Sequence, residues 1–188
     1  MGARIVLASR SPQRRAILEQ LGVAFDVRPA DVAELDAGVP VAVATENALR
    51  KALAAVEGKE GETVLGVDTL VATDLEIWGK PPHRDAARET LRRLSARTHV
   101  VVSGIALVRD GEVQAASAST EVTFRPLDAA TIDWYVGTGE WEGRAGGYAI
   151  QGRGAALVTG IRGDYFNVVG LPVAALFDLW PELLTGPF

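Results

Sequence analysis

The stretch Val-Leu-Gly-Val-Asp-Thr-Leu-Val-Ala at residues 64–72 decides the fold. It is apolar, rich in β-branched residues and too short to cross a membrane, so it predicts a buried strand. Asp68 stands in the middle of it. An ionised carboxylate in a dry interior costs several kcal/mol unless a cation, a metal or hydrogen-bond donors replace the lost water. Taken alone, the stretch leaves two interpretations open: an Asp that bonds a neighbouring loop or helix, and a functional carboxylate.

Length and composition limit the class of protein. The chain of 188 residues predicts one domain, or two closely joined lobes, with 48% hydrophobic and 23% charged residues as in soluble globular proteins. We find no signal peptide and no long apolar run, so the cytoplasm is the expected location and no membrane partner is expected. The absence of cysteine excludes disulfides, thiolate metal sites and Cys nucleophiles. Two histidines do not make a typical zinc site.

The charge distribution favours a small anionic ligand. The net charge of -5 argues against a nucleic-acid polymer as partner. Three arginines, Arg10, Arg14 and Arg15, nevertheless fall within six positions near the start of the chain. A local basic cluster in an acidic protein suits a small anion, although an Arg run is also typical of a solvated helix face.

The first structural unit predicts an anion site. Residues 4–8 read as a strand, Ser9 lies in the connection, and Ser11 and Pro12 start a helix over residues 13–21 as N-cap and first helical residue. A helix N-terminus offers free N–H groups and the positive end of its dipole, here beside two hydroxyls and three guanidiniums.

The rest of the chain alternates strands and helices. We expect the helix over residues 40–56 to turn Leu49, Leu53 and Val56 toward the core. The periodicity predicts strands at residues 23–27, 64–73, 99–108 and 112–124, helices at 84–94, 128–136 and 172–184, and a last hairpin that joins 155–161 to 165–169.

Several segments carry candidate functional groups, each with a plain structural alternative. The acidic loop at residues 30–38 is a solvated surface loop or supplies Glu34 as a second carboxylate for a metal shared with Asp68. Lys51 either extends its ammonium group from an apolar helix face to solvent or acts in a functional site. The glycine-rich residues 139–154 form tight turns or a ligand-facing loop. Together with Lys80, these groups suit phosphoanhydride chemistry, in which carboxylates hold Mg²⁺ and cations neutralise phosphate charge.

Over nearly its whole length the sequence resembles the Maf nucleoside triphosphate pyrophosphatases. The matching segments are Leu-Ala-Ser-Arg-Ser-Pro-Gln-Arg-Arg at 7–15, Asp-Val-Ala-Glu at 31–34, Glu-Asn at 46–47 with Lys-Ala at 51–52, Gly-Val-Asp-Thr at 66–69, Gly-Lys-Pro at 79–81, Ser-Ala-Arg-Thr-His at 95–99, Ala-Gly-Gly-Tyr-Ala-Ile-Gln-Gly at 145–152 and Asn-Val-Val-Gly-Leu-Pro at 167–172. So many ordered matches are far more specific than any single motif.

The resemblance implies a fold, a reaction and a set of roles. The fold is α/β, with an elongated mixed sheet, flanking helices and two lobes around a central cleft, in a single Maf-like domain over residues 1–188 that is usually a homodimer. The reaction is hydrolysis of a nucleoside triphosphate to the monophosphate and pyrophosphate with a divalent metal, Mg²⁺ or Mn²⁺. The implied catalytic residues are Asp68, Glu34, Lys51 and Lys80, with Asp68 and Glu34 as metal ligands, and the implied substrate-binding residues are Ser9, Ser11, Arg14, Arg15, Thr69, Tyr148 and Gln151.

Specificity and cellular role have alternatives. The segment at 145–151 looks like the subgroup that acts on dTTP and UTP rather than the one that acts on 7-methyl-GTP, with Thr69 and Gln151 at positions associated with the base. Gln13 departs from the Arg that is common in this subgroup, and Arg144 replaces the usual Lys, which keeps the charge but changes its shape. The alternative function is a nucleotide-binding regulator of cell division, related to septum formation, with little turnover.

Overall fold

The chain folds around one seven-stranded sheet, as the computed structural model shows for residues 5–58, 61–74 and 76–184. Strand order is β2-β1-β3-β5-β6-β7, with β4 paired to β3. Two pairs, β1 with β2 and β1 with β3, are parallel and the others antiparallel, so the predicted mixed α/β sheet is confirmed. The strands are β1 Ile5–Leu7, β2 Phe25–Val27, β3 Thr63–Thr73, β4 Glu76–Trp78, β5 Thr98–Arg109, β6 Glu112–Phe124 and β7 Val158–Arg162.

The helices begin mostly where capping residues predict. The hydroxyl of Ser11 accepts a hydrogen bond from the Arg14 N–H at 3.5 Å, and the carboxylate of Asp128 accepts one from Thr131 at 2.8 Å. No helix among the described residues has both the length and the apolar character that a membrane span requires. The helices are α1 Pro12–Gln20, α2 Pro40–Ala54, α3 Arg84–Leu94, α4 Ala129–Gly137, α5 Tyr165–Val169 and α6 Val173–Leu179.

Strand β3 has one fully paired edge and one interrupted edge. On one edge it pairs with β5 from Thr63 to Ala72. On the other edge it pairs with β1 only up to Leu65 and with β4 only from Val71 onward. Residues 66–70 therefore have no strand partner on that edge, and Asp68 lies in the middle of this gap.

Helix α2 packs very closely on the sheet through small residues. A Cβ atom added at Gly66 of β3 would lie 2.0 Å from the Ala48 carbonyl oxygen, and one at Gly104 of β5 would lie 2.3 Å from the Ala44 carbonyl oxygen. The expectation that Leu53 and Val56 face the core is wrong, because alanines of the helix pack over these glycines instead. Leu53 is 50% exposed and Val56 beyond the helix is 40% exposed; Leu49 is only partly buried.

Apolar clusters cover both faces of the sheet. One face packs against α1 and α6 through residues such as Leu18 and Leu176, and the other packs against α2. A third cluster joins the far ends of β3, β5 and β6 to α3 and α4, with Leu91 and Tyr135 fully buried. The three clusters leave the gap beside β3 open to ligands.

The C-terminal part differs from the sequence-based expectation. Strand β7 pairs with β6, and residues 165–169 form helix α5 rather than the second strand of a hairpin. The cause is Asp164, whose carboxylate accepts a hydrogen bond from the Phe166 N–H at 2.7 Å and caps the helix. The predicted helix over 172–184 is also shorter, because Pro181 disfavours helical backbone at Trp180, and a 3₁₀ turn, Pro181–Leu184, follows.

Candidate active site

A cleft of about 480 Å³ opens at the gap beside β3. The parallel strands β1 and β2 point their carboxyl ends at it, so the loops that follow them reach the same place as the middle of β3. This position is the usual ligand site of open α/β sheets. Its walls come from the start of α1, the loop that carries Glu34, helix α2, residues 68–71, residues 77–80, residues 143–151 and residues 168–170.

Three charged side chains converge on the floor of the cleft. The Nζ atom of Lys51 lies 2.6 Å from Oδ1 of Asp68 and 2.6 Å from Oε1 of Glu34. Asp68 is 5% exposed and Lys51 8% exposed, whereas the side chain of Glu34 is 44% exposed. The buried carboxylate on β3 is thus offset by a cation, as its position in an apolar strand requires.

The same place suits a divalent metal. Glu34 and Asp68 supply hard carboxylate oxygens, and they already hold one cationic group, the Lys51 ammonium, between them. Across the described residues there is no group of three or more acidic or histidine side chains placed to hold a metal. A metal held by Glu34 and Asp68 would therefore take its other ligands from water and from a phosphate, which is typical of Mg²⁺.

The side chain of Asn47 hydrogen-bonds both to Asp68 and to the loop that carries Glu34. It is completely buried on α2, one turn before Lys51. Its Nδ2 atom donates to Oδ2 of Asp68 at 3.0 Å and to the Leu35 carbonyl at 2.9 Å, and its Oδ1 atom accepts from the Leu35 N–H at 2.7 Å. The close packing of α2 on the glycines of the sheet is what brings this amide within reach of Asp68.

Arg14 forms the second buried cation of the cleft. Its Nε donates to the Gly170 carbonyl at 2.8 Å, Nη1 to the Ser9 hydroxyl at 2.8 Å and Nη2 to the Thr69 hydroxyl at 3.2 Å. Burial lowers the pKa of the Arg14 guanidinium, and the carboxylates of Asp68 and Glu34 act in the opposite direction. The guanidinium remains charged, since Arg keeps its proton in proteins, and it holds the loop after β1 against β3.

The facing wall carries further positive charge. Lys80 is exposed at the cleft, and no acidic side chain of the described chain lies within salt-bridge distance of it. Arg144 lines the cleft with a buried Nε atom that has no hydrogen-bond partner, and burial lowers the pKa of its guanidinium. Gln151 is exposed at the same wall. These groups are available to an anionic or polar ligand.

Tyr148 reaches the cleft from the core. Its hydroxyl shares a hydrogen bond of 2.8 Å with Nε2 of His99, and both rings pack edge-on against Phe124. Burial raises the pKa of the Tyr148 hydroxyl and lowers the pKa of His99 to about 4. The imidazole is therefore neutral near neutral pH, and the pair is a rigid support for the wall.

The structure brings most of the predicted site residues to one cleft and leaves two outside its walls. Ser9 lies behind Arg14, where its hydroxyl accepts from the guanidinium and from the Ser11 N–H at 3.2 Å. Arg15 is exposed on α1 and does not line the cleft. Those that line it are Ser11, Arg14, Glu34, Lys51, Asp68, Thr69, Lys80, Tyr148 and Gln151.

Sequence reasoning missed Asn47 and Trp78. The spacing of Asn47 and Lys51 by four residues showed that they share a helix face, but not that this face is the buried one. Trp78 lines the cleft, donates from Nε1 to the Thr73 hydroxyl at 2.7 Å, and carries the Arg93 guanidinium 4.3 Å from its ring centroid. No sequence signal separated this tryptophan from an ordinary core residue.

The fold and the cleft define an α/β protein that pairs carboxylates with cations at the carboxyl ends of parallel strands. The chain belongs to the Maf family, since the family described as Maf-like protein matches residues 4–183. It is 47% identical to the dTTP/UTP pyrophosphatase of Symbiobacterium thermophilum, over 90% of this chain and 89% of that protein. It is 46% identical to the dTTP/UTP pyrophosphatase of Anaeromyxobacter dehalogenans, over 93% of this chain and 91% of that protein. It is 40% identical to the dTTP/UTP pyrophosphatase of Pyrococcus abyssi, over 93% of this chain and 94% of that protein.

Proposed function

We propose that this protein hydrolyses nucleoside triphosphates, dTTP and UTP above all, to the nucleoside monophosphate and pyrophosphate. The observation that carries the proposal is the contact of Lys51 with both Asp68 and Glu34 in a cleft that Arg14 and Lys80 also line. The substrate class follows the names of the relatives, each called a dTTP/UTP pyrophosphatase. In the reaction water attacks the α-phosphorus, and the bond from that atom to the bridging oxygen breaks.

Each charged group has a role in this reaction. Asp68 accepts the proton of the attacking water, which a carboxylate within hydrogen-bond reach can do. Arg14, Lys51 and Lys80 neutralise the negative charge that grows on the departing pyrophosphate. Ser11 and the start of α1 bind a phosphate through hydroxyl and N–H groups. Ser9 acts by holding the Arg14 guanidinium in place, and Arg15, on α1 outside the cleft walls, adds positive charge at a distance.

A divalent cation, Mg²⁺ or Mn²⁺, is part of the proposal. Glu34 and Asp68 would hold it, and it would supply charge neutralisation at the phosphates and help to activate water. Glu34 suits this task because it sits on a loop at the cleft mouth, with a side chain that is 44% exposed. Lys51 then balances the charge of the two carboxylates when no metal is bound.

Base recognition falls to polar groups around the cleft in this proposal. The Thr69 hydroxyl is already oriented, because it accepts from Arg14 and shares a hydrogen bond of 2.9 Å with the Ser103 hydroxyl. Gln151 offers an amide donor and acceptor, which pyrimidine carbonyl and N–H groups can pair with. Tyr148 forms the wall beside them.

The decisive experiment measures pyrophosphate release from a panel of nucleotides with Mg²⁺ or Mn²⁺. We expect dTTP and UTP to be the best substrates and Asp68→Asn to lower turnover by about 10²–10⁴-fold, the usual contribution of a general base, with the fold retained. Asp128→Asn makes the same chemical change at the cap of α4, outside the cleft, and should leave turnover near the wild-type value. Near-normal turnover by Asp68→Asn would contradict the assigned role.

A nucleotide-binding regulator with little turnover is not favoured by any observation on the described residues. The nucleotide panel separates it from the enzyme, because a regulator would bind nucleotides and release no pyrophosphate. We further propose a cytoplasmic homodimer, as the resemblance to the Maf family implies, with a single domain whose two lobes flank the cleft. Light scattering of the purified chain tests the dimer.

A further inference from the structure

The amide of Asn47 uses all of its hydrogen-bonding groups on two partners. Its oxygen accepts from the Leu35 N–H, and its nitrogen donates one hydrogen to the Leu35 carbonyl and the other to Oδ2 of Asp68, at 2.7, 2.9 and 3.0 Å. The residue is 0% exposed, so water does not compete for these bonds. A buried amide satisfied in this way is rigid and costly to disturb.

Only one orientation of this amide is chemically consistent. The Leu35 N–H requires an acceptor, so it must face the amide oxygen, and the amide nitrogen must then face the Leu35 carbonyl and Asp68. Asp68 consequently receives a donor at Oδ2, which leaves Oδ1 directed at Lys51 and, through it, at Glu34. Asn47 thus fixes the orientation of the Asp68 carboxylate, with one oxygen bonded to the amide and the other directed at Lys51.

The loop that carries Glu34 depends on the same amide for its position. Residues 28–39 contain no helix or strand, and the two bonds to Leu35 resemble a single rung of a sheet. Two further side chains of α2 contact this loop among the described residues. Lys51 forms the ion pair with Glu34, and Arg50 donates a long hydrogen bond of 3.4 Å to the Ala33 carbonyl on the exposed side of the helix. Two buried side chains of α2, Asn47 and Lys51, therefore fix the spacing between Glu34 and Asp68, and Asn47 is the uncharged one, which a bound cation would not displace.

We propose that Asn47 is a positioning residue that sets the affinity of the site for its divalent cation. It acts by holding the Glu34 loop and the Asp68 carboxylate in register on opposite sides of one amide. This inference rests on the proposed function, because Glu34 and Asp68 are metal ligands only within that proposal. Partners that orient metal ligands typically change affinity about 10–100-fold when they are removed.

The test is Asn47→Leu, which keeps the branched shape and the number of side-chain heavy atoms and removes every side-chain hydrogen bond. We expect Mn²⁺ binding to weaken about 10–100-fold, measured by the electron paramagnetic resonance signal of free Mn²⁺ in the presence of an α,β-imido analogue of dUTP that is not hydrolysed. Activity should return when Mn²⁺ is raised, while the KM for dTTP at saturating Mn²⁺ stays within about threefold. A purely structural role would lower the unfolding temperature and leave the Mn²⁺ affinity of the folded fraction unchanged.

The matched control is Asn167→Leu. Asn167 is also fully buried and joins α5 to the sheet by bonds to the Val101 carbonyl at 3.0 Å and the Thr120 hydroxyl at 2.9 Å, without touching Glu34 or Asp68. Its loss should cost stability but not Mn²⁺ affinity. Asn47→Ser is the second variant and leaves room for water if Asn47→Leu does not fold.

The outcomes separate the inference from the function on which it rests. If the wild-type protein releases pyrophosphate and binds Mn²⁺, but a folded Asn47 variant binds Mn²⁺ with equal affinity, the positioning role is wrong and the enzyme stands. If the wild-type protein neither binds Mn²⁺ with the analogue nor releases pyrophosphate, the proposed function is wrong.

Discussion

Arg14 places three donors on three different segments, and this geometry belongs to arginine alone. The planar guanidinium reaches the loop after β1, the middle of β3 and the segment after α5 through bonds to Ser9, Thr69 and Gly170. A lysine ammonium is a point charge and cannot span them. The residue therefore holds the walls of the cleft together as well as lending it charge.

We expect Arg14→Lys to lower both activity and stability. Hydrogen bonds of a charged donor contribute about 1.5–3 kcal/mol each to folding stability, so the loss of even one should lower the free energy of unfolding by at least about 1.5 kcal/mol, and the displaced charge should also lower kcat/KM for dTTP. Arg28→Lys is the control, because Arg28 makes comparable bonds to Ala55 at 2.8 Å and Glu62 at 2.7 Å away from the cleft. If Arg28→Lys lowered kcat/KM as strongly as Arg14→Lys, the assignment of Arg14 to the site would be wrong.

Helix α2 is the element on which the site depends most. Its register against β3 and β5 is set by contacts between alanines and glycines, and that register delivers Asn47 and Lys51 to Asp68. Val41 and Leu53 of the same helix lie on its exposed side, at 41% and 50% exposure. The chemistry of the site is therefore coupled to backbone packing rather than to side-chain packing.

We predict that Gly66→Ala displaces α2 and damages activity together with stability. The added Cβ would lie 2.0 Å from the Ala48 carbonyl oxygen and 2.8 Å from the Ala52 nitrogen, and both are backbone atoms that cannot rotate away. Overpacking usually costs about 1–3 kcal/mol, and a clash with backbone belongs at the upper end. Urea unfolding and a parallel assay of pyrophosphate release measure the two effects.

Gly160→Ala serves as the comparison for this substitution. Gly160 lies in β7, and a Cβ there meets nothing within 4 Å. The variant should stay within about 0.5 kcal/mol of the wild type, as surface substitutions do. Equal destabilisation by the two alanines would mean that helix packing is not the cause.

For the whole molecule, the buried His99 makes stability depend on pH. Its pKa of about 4 in the folded protein lies below the ordinary value of 6.5, because burial beside Phe124 and Tyr148 disfavours the charged ring. Between these two values the unfolded chain takes up a proton that the folded chain does not, so stability falls as the pH is lowered from 7 toward 4. By pH 5 the loss should be about 2 kcal/mol.

Urea unfolding at pH 7 and pH 5 checks this dependence. The variant His99→Gln removes the titrating ring while an amide can still pair with Tyr148. Between pH 7 and pH 5 its free energy of unfolding should therefore fall by about 2 kcal/mol less than that of the wild type. A variant with the same pH dependence as the wild type would show that another group is responsible.

At the same scale, the sequence predicts most of the architecture and the composition of the cleft. Capping residues located α1 and α4, and runs of apolar and β-branched residues located β3, β5 and β6. Family membership and the mixed sheet are confirmed. Local patterns failed where long-range packing decides the result: the inward face of α2 follows from glycines on two distant strands, and residues 165–169 are helical because Asp164 caps them. The role of Asn47 could not be predicted from local sequence, because its hydrogen-bond partners are 12 and 21 residues away in the chain.

The interrupted edge of β3 sets the length of the cleft opening. Between Leu65, the last residue paired with β1, and Val71, the first paired with β4, the strand advances about 20 Å at roughly 3.3 Å per residue. That length is comparable to an extended nucleotide, and it is fixed by strand register instead of by any side chain. Substitutions along residues 66–70 can therefore alter what the opening binds without changing how long it is.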